Sequence, residues 1–459
     1  MSTDLTRPEG DFRRQARRSL GDQHVLEAAD GATWRMLSGR TAAWGQLEDV
    51  EVLRERAHEL RLRVIDDLDG YREQFTKAVE ARGGIVHFCR TADEARQTVS
   101  RICTAANARL VAKSKSMLSE EIGLNEALEA AGMRVVETDL GEYILQLAGE
   151  HPSHIILPAI AKTAGDVAEL LSKVDGKPLP VELEALAGAA RRQLREVFLT
   201  ADVGVTGANF AVAATGSICL ATNEGNGGLV TSLPRVHVVL LGMERLVPTL
   251  DDLSVVLRLL ARSGTGQRLT SYTRVITGPR RKGEQDGPEE LHVVIIDNGR
   301  TNLRRGRYKE MLACIRCGAC INVCPVYRKA GGSAYGPVYS GPMGAVLVPL
   351  LVGLERAPDL PHASSLCGAC TQACPVKIPL HELLLDLRRD LVGEGVAPRR
   401  ERLAFTLWSL AWSSPLGYRV STTMARLGAP LAARLGLARP WTAGRELPPF
   451  ARRRFRDSR

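Results

Sequence analysis

The sequence predicts an α/β domain with a mostly parallel sheet, followed by an α-helical domain organised around two runs of cysteines. Between positions 85 and 300, short apolar segments alternate with helix-like segments, which is the pattern of an α/β domain. Seven of the ten cysteines then lie between positions 314 and 374. A length of 459 residues suits about three domains, at about 150 residues for each.

The composition changes along the chain predict four parts. A helical region opens the chain, because apolar residues recur with nearly helical period and a Gly83-Gly84 pair then ends the pattern. The apolar positions are Val50, Leu53, Ala57, Leu60 and Val64. We expect this helical region over 1–82, the α/β domain over 83–300, the α-helical domain with the cysteine runs over 301–395 and a basic tail over 396–459.

Strand-like and helix-like segments follow one another in the second part. GIVHFC, RLVAKSKS, RVVETD, VHVVLLG and ELHVVIID predict strands, with helices over 92–106 and 120–131 between the first three. The run VHVVLLG is apolar on both faces, as in a strand buried between two layers of helices. A G-x-G-x-x-G turn after a strand and a Walker lysine motif are both absent, so nucleotide binding is not supported.

Glycine-rich turns between the later strands predict a candidate ligand pocket. Backbone N–H groups in such turns bind anions, although tight turns also require glycine for conformational reasons alone. The pocket residues are Gly207, Asn209, Thr215, Ser217, Glu224 and Asn226. Glu224 is the one acid at a glycine-rich strand end, where a carboxylate nucleophile is conceivable, but a turn acid that caps backbone N–H groups is favoured.

The first cysteine run has the spacing C-x2-C-x2-C-x3-C-P, which holds iron–sulfur clusters in bacterial ferredoxins, with the fourth cysteine ligating the other cluster. A second run supplies three more cysteines and a proline. This crossover predicts two sites. Site one consists of Cys314, Cys317, Cys320 and Cys374, and site two of Cys324, Cys367 and Cys370.

Site two is one thiolate short. Ser364 stands where a full repeat of the first run would have its cysteine. The site could hold a three-iron cluster, or a four-iron cluster whose fourth ligand is Ser364, His362, water or a group from a partner protein. A three-iron or labile four-iron cluster is favoured over stable serine ligation, because a hydroxyl loses its proton far less readily than a thiol.

Other uses of the cysteines and histidines are less favoured. Structural zinc sites take four cysteines each, and seven cysteines do not divide into such sites. Cys89, Cys103 and Cys219 lie in apolar runs and are expected to be packed core thiols. His154 is expected to be a turn or core histidine.

Helices are predicted on both sides of the second run. The runs are separated by 42 residues, in which Pro342 opens the helix-like segment MGAVLVPLLVGLERA. After the second run, Pro379 opens LHELLLDLRRDL. This layout matches the α-helical ferredoxin domain of the succinate-dehydrogenase type.

The tail carries thirteen arginines and three acids from position 399 onward, without any lysine. Leu403, Leu407 and Leu410 share a helical face beside Trp408 and Trp412, so we expect this helix to pack on the ferredoxin domain or on a partner. A solvated or subunit-contacting tail is favoured, followed by contact with a membrane surface or an acidic partner. Arg452, Arg453 and Arg454 would then lie near acidic or phosphate-bearing surface. Nucleic acid is not expected, because few aromatic residues accompany the arginines.

The chain shows neither a signal peptide nor an uncharged segment of membrane-spanning length. With oxygen-sensitive thiolate ligands, this predicts a cytoplasmic protein, with peripheral contact to the inner face of the membrane left open.

Several blocks resemble the iron–sulfur component of the bacterial three-part L-lactate utilisation complex, the LutB or LldF family. They are KSKSMLSEEIGLNEALEAAGMRVVETDLGEYILQLAGEHPSHIILPAI, GVTGANFAVAATGSI, NEGNGG, ITGPRRKGEQDGPEELHVVIIDNGR, the cysteine runs and ELPPFARRRFR. The resemblance covers about residues 60–395 and this last tail motif. It implies an α/β domain of the lactate-utilisation type, similar to sugar-phosphate isomerase and CoA-transferase folds, before a helical ferredoxin domain.

The same resemblance implies an electron-transfer subunit. Its two clusters would relay electrons released when L-lactate becomes pyruvate, working with sister subunits and a downstream acceptor. No flavin or nicotinamide fingerprint marks a catalytic centre, so the α/β domain either binds a 2-hydroxy acid in the candidate pocket or docks sister subunits. An alternative is the iron–sulfur module of a glycolate-type oxidase or a heterodisulfide-reductase-like complex.

Overall fold

The computed structural model describes residues 11–336, 338–436 and 451. The chain divides into two compact units, Met1–Arg389 and Asp390–Arg459. The first unit contains the N-terminal helices, the α/β domain and both cysteine runs. Arg452, Arg453, Arg454, Trp441 and most of the ELPPFARRRFR motif lie outside the described residues.

Four helices form the N-terminal region, and the third has the predicted apolar face. Leu53, Ala57, Leu60 and Val64 are all buried. The helical pattern is interrupted at Asp67, where the Asp67 Oδ1 accepts a hydrogen bond of 3.2 Å from the Gly70 N–H and begins a new helix. The helices are α1 Phe12–Ser19, α2 Gln23–Trp44, α3 Val50–Asp66 and α4 Leu68–Glu80.

A six-stranded sheet forms the centre of the α/β domain, and every neighbouring pair of strands in it is parallel. The order is β1-β10-β7-β4-β2-β3. All seven residues of β7 are buried, as the run VHVVLLG predicts. The strands are β1 Ile85–Cys89, β2 Leu110–Lys113, β3 Arg134–Glu137, β4 Val203–Gly207, β7 Val236–Gly242 and β10 Glu290–Ile296.

The order of strands reverses between β2 and β4. From β2 the chain first adds β3 on one side and then crosses to β4, β7 and β10 on the other. Loops from the carboxyl ends of β2 and β4 therefore diverge and leave a crevice, which is where open α/β sheets bind ligands.

A second, four-stranded sheet lies in the same domain in the order β8-β5-β6-β9. Strands β5 and β6 pair antiparallel, as do β6 and β9, while β5 and β8 pair parallel. The strands are β5 Phe210–Val212, β6 Ser217–Thr222, β8 Leu246–Val247 and β9 Tyr272–Ile276.

The helices of the α/β domain agree with the predicted alternation except at one position. The predicted single helix over 120–131 is wrong, because Gly123 adopts a left-handed φ of 63° and separates two shorter helices. The helices are α5 Ala92–Ala105, α6 Met117–Glu121, α7 Leu124–Ala130, α8 Leu140–Ala148, α9 Ala164–Asp175, α10 Leu183–Thr200, α11 Asn226–Ser232 and α12 Leu250–Gly264.

Short helices surround the cysteine runs. The predicted helix after Pro342 ends early, at Val352, because Gly353 has a φ of 96°, so LERA lies outside it. The helix opened by Pro379 forms as expected. The helices are α13 Arg300–Arg305, α14 Ala319–Asn322, α15 Pro325–Ala330, α16 Gly341–Val352, α17 Ala369–Ala373 and α18 Leu380–Gly393.

Two helices follow in the second unit, α19 Arg399–Ser413 and α20 Pro415–Arg434. Leu403, Leu407 and Leu410 on α19 are exposed, as are Trp408 and Trp412. The expected packing of this helix on a partner therefore stays a prediction. Among the described residues, no helix combines the length and apolar character needed to cross a bilayer.

Candidate functional site

The two cysteine runs form loops with the same backbone conformation. In each, the sequence Cys-Gly-Ala-Cys turns at its glycine, with φ of 76° at Gly318 and 80° at Gly368. The residue before each Cys-Gly pair also has a positive φ, 60° at Arg316 and 55° at Leu366. A short helix then begins directly after each glycine. The runs are therefore structural repeats as well as sequence repeats.

The structure brings the four cysteines of site one together. Cys314, Cys317, Cys320 and Cys374 line one small cavity, although Cys374 is distant from the others in sequence. Burial raises the pKa of Cys374 to about 12, and the nearby Cys314 contributes to that rise. The Cys374 thiol thus holds its proton at neutral pH, and a bound metal centre has to displace it.

The three cysteines of site two also lie near one another. Burial raises the pKa of Cys370 to about 11, and the neighbouring Cys324 and Cys367 contribute. Cys367 is exposed to solvent, while Cys324 and Cys370 are buried. The two sites lie near each other, because Cys370 of site two is among the groups that raise the pKa of Cys320 of site one.

Ser364 takes the same place in its loop as Cys314 does in the first loop. The Leu366 N–H donates to Ser364 Oγ at 3.0 Å, and the Arg316 N–H donates to Cys314 Sγ at 3.4 Å. The side-chain oxygen is therefore held at the position that the repeat gives to a ligand. His362, the other candidate for the open position, is exposed at the end of a 3-10 turn.

Backbone N–H groups also point at other sulfur atoms. The Tyr327 N–H donates to Cys324 Sγ at 3.5 Å, and the Ile378 N–H donates to Cys374 Sγ at 3.3 Å. Hydrogen bonds to sulfur are one of the main controls of the reduction potential of an iron–sulfur cluster. Both sites therefore have the donor environment that such clusters need.

A buried group of charged side chains lies beside site one. Arg300 donates to Glu121 Oε1 at 2.8 Å and to Glu244 Oε2 at 2.6 Å. Arg316 approaches Glu244 at 3.5 Å, and Arg245 donates to the Cys314 carbonyl at 3.1 Å. With Arg61 added, this arginine group has four guanidinium groups and only two carboxylates, those of Glu121 and Glu244.

The charge of the arginine group fits an iron–sulfur cluster at site one. Excess buried positive charge is costly unless an opposite charge compensates it. Four thiolates around an oxidised four-iron core carry net negative charge. Burial lowers the pKa values of Arg61 and Arg245 to about 10, and the nearby Cys314 opposes this shift, as it does for Arg316. The residues present therefore fit the cofactor that the cysteine spacing implies.

The N-terminal helices supply two further arginines to the same site. Arg54 donates to the carbonyls of Gln372 at 3.0 Å and Cys374 at 2.7 Å. Arg40 donates to the Ala373 carbonyl at 3.2 Å and stacks over Trp44, with 3.8 Å between the guanidinium carbon and the ring centroid. Helices α2 and α3 thus hold the second cysteine loop in place.

A cavity of about 400 Å³ opens at the carboxyl edge of the main sheet, where the strand order reverses. We call it the switch-point cavity. It is lined by residues after β2 (Ser114, Lys115, Ser116), after β4 (Gly207, Asn209), after β6 (Glu224, Asn226) and from the first cysteine run (Ile315, Arg316, Cys317). The cavity therefore extends from the α/β domain to site one.

Four of the six residues predicted for the ligand pocket line this cavity, namely Gly207, Asn209, Glu224 and Asn226. The other two do not. Thr215 and Ser217 hydrogen bond to each other at 2.8 Å, and Ser217 also bonds to Thr277 at 2.7 Å. They belong to the turn that leads into β6.

Glu224 lines the same cavity as Arg245, Arg300 and Arg316 of the arginine group. Its Oε2 accepts a hydrogen bond of 3.3 Å from the Leu140 N–H, as a capping acid does. Burial of the carboxyl group raises the pKa of Glu224, and the nearby Asp139 adds to the rise. The described contacts favour a turn acid over a nucleophile.

His154 has a structural role, as expected. Its Nδ1 accepts from the N–H groups of Ile156 and Leu157 at 3.0 and 3.1 Å, and its Nε2 lies 3.3 Å from Asn322 Oδ1. Burial lowers the pKa of His154 to about 4, so the ring is neutral and joins the loop over the cavity to the first cysteine run.

The three remaining cysteines behave as core thiols. Cys89, Cys103 and Cys219 are buried, and burial raises the pKa values of Cys103 and Cys219 to about 12. A protonated thiol is a weak nucleophile. Across the described ranges, no set of three His, Cys, Asp or Glu side chains is arranged to hold a single metal ion.

Sequence reasoning missed several residues of the site. Lys115, Arg61, Arg245 and Arg300 each lie beside the cavity or site one, yet the sequence predicted no role at the site for any of them. Lys115 could have been found, because it follows β2 directly in the block KSKS. Arg61 could not, since its role depends on contacts with residues more than 180 positions away.

Three family models match successive parts of the chain. The LUD domain matches residues 72–296, the 4Fe-4S dicluster domain residues 310–378, and the C-terminal domain of lactate utilisation protein B residues 388–458. Curated relatives named lactate utilization protein B, from Bacillus velezensis and Geobacillus kaustophilus, are each 46% identical. They cover 97% and 98% of this chain and 96% of their own length.

The chain belongs to the lactate utilisation protein B family. Residues 310–378 are accordingly a 4Fe-4S dicluster domain after an α/β LUD domain. A solved structure of a DUF162 family protein from Deinococcus radiodurans covers 50% of this chain and 98% of its own, at 14% identity. Its TM-score of 0.29 is too low to support an argument.

Proposed function

We propose that this chain is the iron–sulfur electron-transfer subunit of a lactate-utilisation complex and relays electrons during oxidation of L-lactate to pyruvate. Membership in the lactate utilisation protein B family supports a role in lactate oxidation, and the dicluster domain supports a role in electron transfer. The observation that carries the proposal is the convergence of Cys314, Cys317, Cys320 and Cys374 on one cavity. When bound, the clusters would supply reversible one-electron acceptors.

The ligand sets follow the crossover between the two runs. Cys374 completes site one as a four-iron site, and Cys324 joins Cys367 and Cys370 at site two. Ser364 is the favoured protein ligand for the open position of site two, because its Oγ is held as Cys314 Sγ is held. The position of Ser364 Oγ therefore favours serine ligation over the three-iron cluster, which the sequence alone favours.

The exposure of the two sites suggests the direction of the relay. Cys317 lines the switch-point cavity, so site one borders that cavity. Cys367 of site two is exposed. A sister protein of the complex or a downstream acceptor would therefore exchange electrons with the chain at site two. The sister subunits of the complex are the partners that we propose.

The proposed pairing is tested by changing one ligand. Cys374→Ser is expected to remove the site-one signal in electron paramagnetic resonance spectra, although the substitution lies in the second run, and to leave site two partly occupied. Cys103→Ser, in the core of the α/β domain, serves as the control. Loss of the site-two signal alone would refute the pairing.

The relay is tested by anaerobic reconstitution with the sister subunits. We expect L-lactate to reduce the clusters of the complete complex, and we expect Cys374→Ser to block this reduction. A complex that reduces its acceptor with L-lactate at the normal rate after both sites are disabled by cysteine substitutions would contradict the proposed function.

A further inference from the structure

The switch-point cavity has the position and the volume of a ligand site, and two of its loops approach each other closely. It lies between the diverging loops after β2 and β4, where open α/β sheets bind their ligands. A Cβ atom on Gly207 would lie 2.8 Å from Ser116 Oγ, so glycine is needed for the two loops to approach. A volume of about 400 Å³ is within the usual range for small-molecule sites.

Lys115 brings a positive charge to the wall of this cavity. Its Nζ lies 4.0 Å from Glu142, at the limit of an ion pair, and donates to the Ile156 carbonyl at 3.3 Å. Burial raises the pKa of Glu142 to about 8, so that carboxyl group is largely protonated near neutral pH. Glu142 therefore compensates the charge of Lys115 only in part, and the cation favours an anionic ligand, although the carboxyl groups of Asp139 and Glu224 line the same cavity.

Two neutral donors line the same cavity as Lys115. Ser116 Oγ accepts from the Ser119 N–H at 3.2 Å, which leaves its hydroxyl proton available for a ligand. Asn209 Oδ1 accepts from the Ala221 N–H at 2.8 Å, and its amide N–H2 group takes no part in that bond. A cation, a hydroxyl and an amide that line one cavity suit a carboxylate with an oxygen on the adjacent carbon.

Part of the wall is apolar, and the cavity reaches site one. Ile156, Leu220 and Ile315 line the cavity and suit a short alkyl group. The cavity and the site-one cavity share Ile315, Arg316 and Cys317. Ile156 is also tied to the first cysteine run, since a Cβ on Gly318 would lie 3.1 Å from its Cδ1. A bound molecule would thus lie next to the loop that holds site one.

We propose that the switch-point cavity binds a small 2-hydroxy or 2-oxo monocarboxylate, with its carboxylate on Lys115 and its second oxygen on Ser116 and Asn209. The proposal rests on the proposed function for the identity of the acid, and it assigns a binding site without assigning the oxidation step to this chain.

The experiment is calorimetric titration of the anaerobically reconstituted chain, without sister subunits, with L-lactate, pyruvate and propionate. L-Lactate and pyruvate are expected to bind and to compete with each other. Propionate has the carboxylate but lacks the second oxygen, and we expect its binding to be at least tenfold weaker. Equal binding of propionate would overturn the assigned contacts.

Two substitutions test the location. Lys115→Met is expected to weaken lactate binding at least tenfold, and Ala208→Leu, which narrows the cavity, is expected to weaken it as well. Lys173→Met on α9 removes the same charge at an exposed position and should bind normally. Unchanged spectra of both clusters check that the variants fold. Normal binding by both Lys115→Met and Ala208→Leu would overturn the site.

A separate experiment measures how close the bound acid lies to site one. With carbon-13-labelled lactate bound, electron–nuclear double resonance on the reduced chain is expected to show a carbon-13 coupling to site one that Lys115→Met abolishes. If the chain alone binds neither acid, while L-lactate still reduces the clusters of the full complex, this inference fails and the relay function stands.

Discussion

At the scale of single residues, Cys314 and Ser364 occupy equivalent positions in the two cysteine loops. Their side chains differ by one atom, a sulfur in Cys314 and an oxygen in Ser364. Cys314 and Ser364 each accept the N–H of the residue two positions later, and both of those residues have a left-handed φ. The difference between sulfur and oxygen therefore leaves the loop geometry unchanged. It changes only the ligand that the loop can offer to iron.

Ser364→Cys is expected to convert site two into a stable four-iron centre with a lower reduction potential. A thiolate is a better iron ligand than a hydroxyl group, and the added negative charge disfavours the reduced state. Mössbauer spectra and a redox titration measure both effects. Ser365→Cys, at the exposed neighbouring position, is the control, and identical four-iron spectra in the wild type and Ser364→Cys would contradict serine's proposed role.

Arg316→Gln is expected to lower the reduction potential of site one, by an amount on the order of tens of millivolts. Against the lowering effect of burial, Tyr339, Glu244 and Cys314 together raise the pKa of Arg316, and its side chain is only 12% exposed. Removing a buried cation disfavours the more negative reduced cluster. A redox titration followed by electron paramagnetic resonance measures the shift, and Arg258→Gln on the exposed face of α12 should leave the potential unchanged.

At the scale of secondary-structure elements, helix α3 connects the α/β domain with the first cysteine run. The buried Arg61 donates to the carbonyls of Leu246 at 2.8 Å, Leu312 at 3.2 Å and Ala313 at 3.3 Å, and also to the Glu244 carbonyl. One side chain on a helix therefore satisfies backbone groups of two domains.

Arg61→Met is expected to lower the free energy of unfolding by about 3 kcal/mol, because several buried carbonyls lose their donor. Anaerobic chemical denaturation measures the change. Arg63→Met is the matched control, because Arg63 lies on the same helix with a side chain that is 60% exposed. Equal stability of the two variants would show that the Arg61 network is not needed for folding.

The loop over the switch-point cavity is expected to loosen as the pH falls from about 6.5 to 4. His154 is neutral in the folded protein, with its pKa lowered by burial from 6.5 to about 4. In this window the unfolded state binds a proton that the native state does not, so stability decreases as the pH falls. The full effect amounts to about 3 kcal/mol.

Hydrogen exchange of residues 151–162, corrected for the intrinsic pH dependence, measures this loosening. In His154→Gln the pH dependence should largely disappear, because the titrating group is gone. His151→Gln, at an exposed position of the same loop, should keep the wild-type dependence. The same dependence in all three proteins would assign the effect to another group.

At the scale of the whole molecule, the parts that could be predicted from the sequence are those with a local signal. The cysteine spacing indicated both sites, and apolar runs indicated strands such as β7. The switch-point cavity had a partial signal, because glycine-rich turns indicated Gly207 and Asn209 but also suggested Thr215 and Ser217. Those two lie elsewhere because the chain turns into a second sheet that no local pattern announces.

The arginine group had no local signal at all. Arg61, Arg245, Arg300 and Arg316 come from four separate segments and meet only in the folded protein. Each alone looks like an ordinary surface arginine in a basic sequence. Their common feature is proximity to site one, where a bound cluster would carry the negative charge that makes their burial tolerable.

The C-terminal unit supplies the last prediction, because its helices leave many large apolar side chains exposed. On α19 these are Leu403, Leu407 and Leu410, and on α20 they include Leu416, Met424 and Leu427. Exposed apolar residues in such number, next to many arginines, are typical of a surface that binds a partner or an anionic membrane. We therefore expect this unit to contribute to assembly and not to cluster binding.

Truncation after Gly395 is expected to keep both cluster signals, because every cysteine of the two sites precedes that position. The same truncation should weaken association with the sister subunits or with anionic vesicles, measured by co-sedimentation at low salt. If high salt removes binding of the full-length chain, the arginines dominate; if binding survives high salt, the apolar faces dominate, because screening acts on charges alone. Full co-sedimentation of the truncated chain with partners and vesicles would show that the unit has no role in assembly.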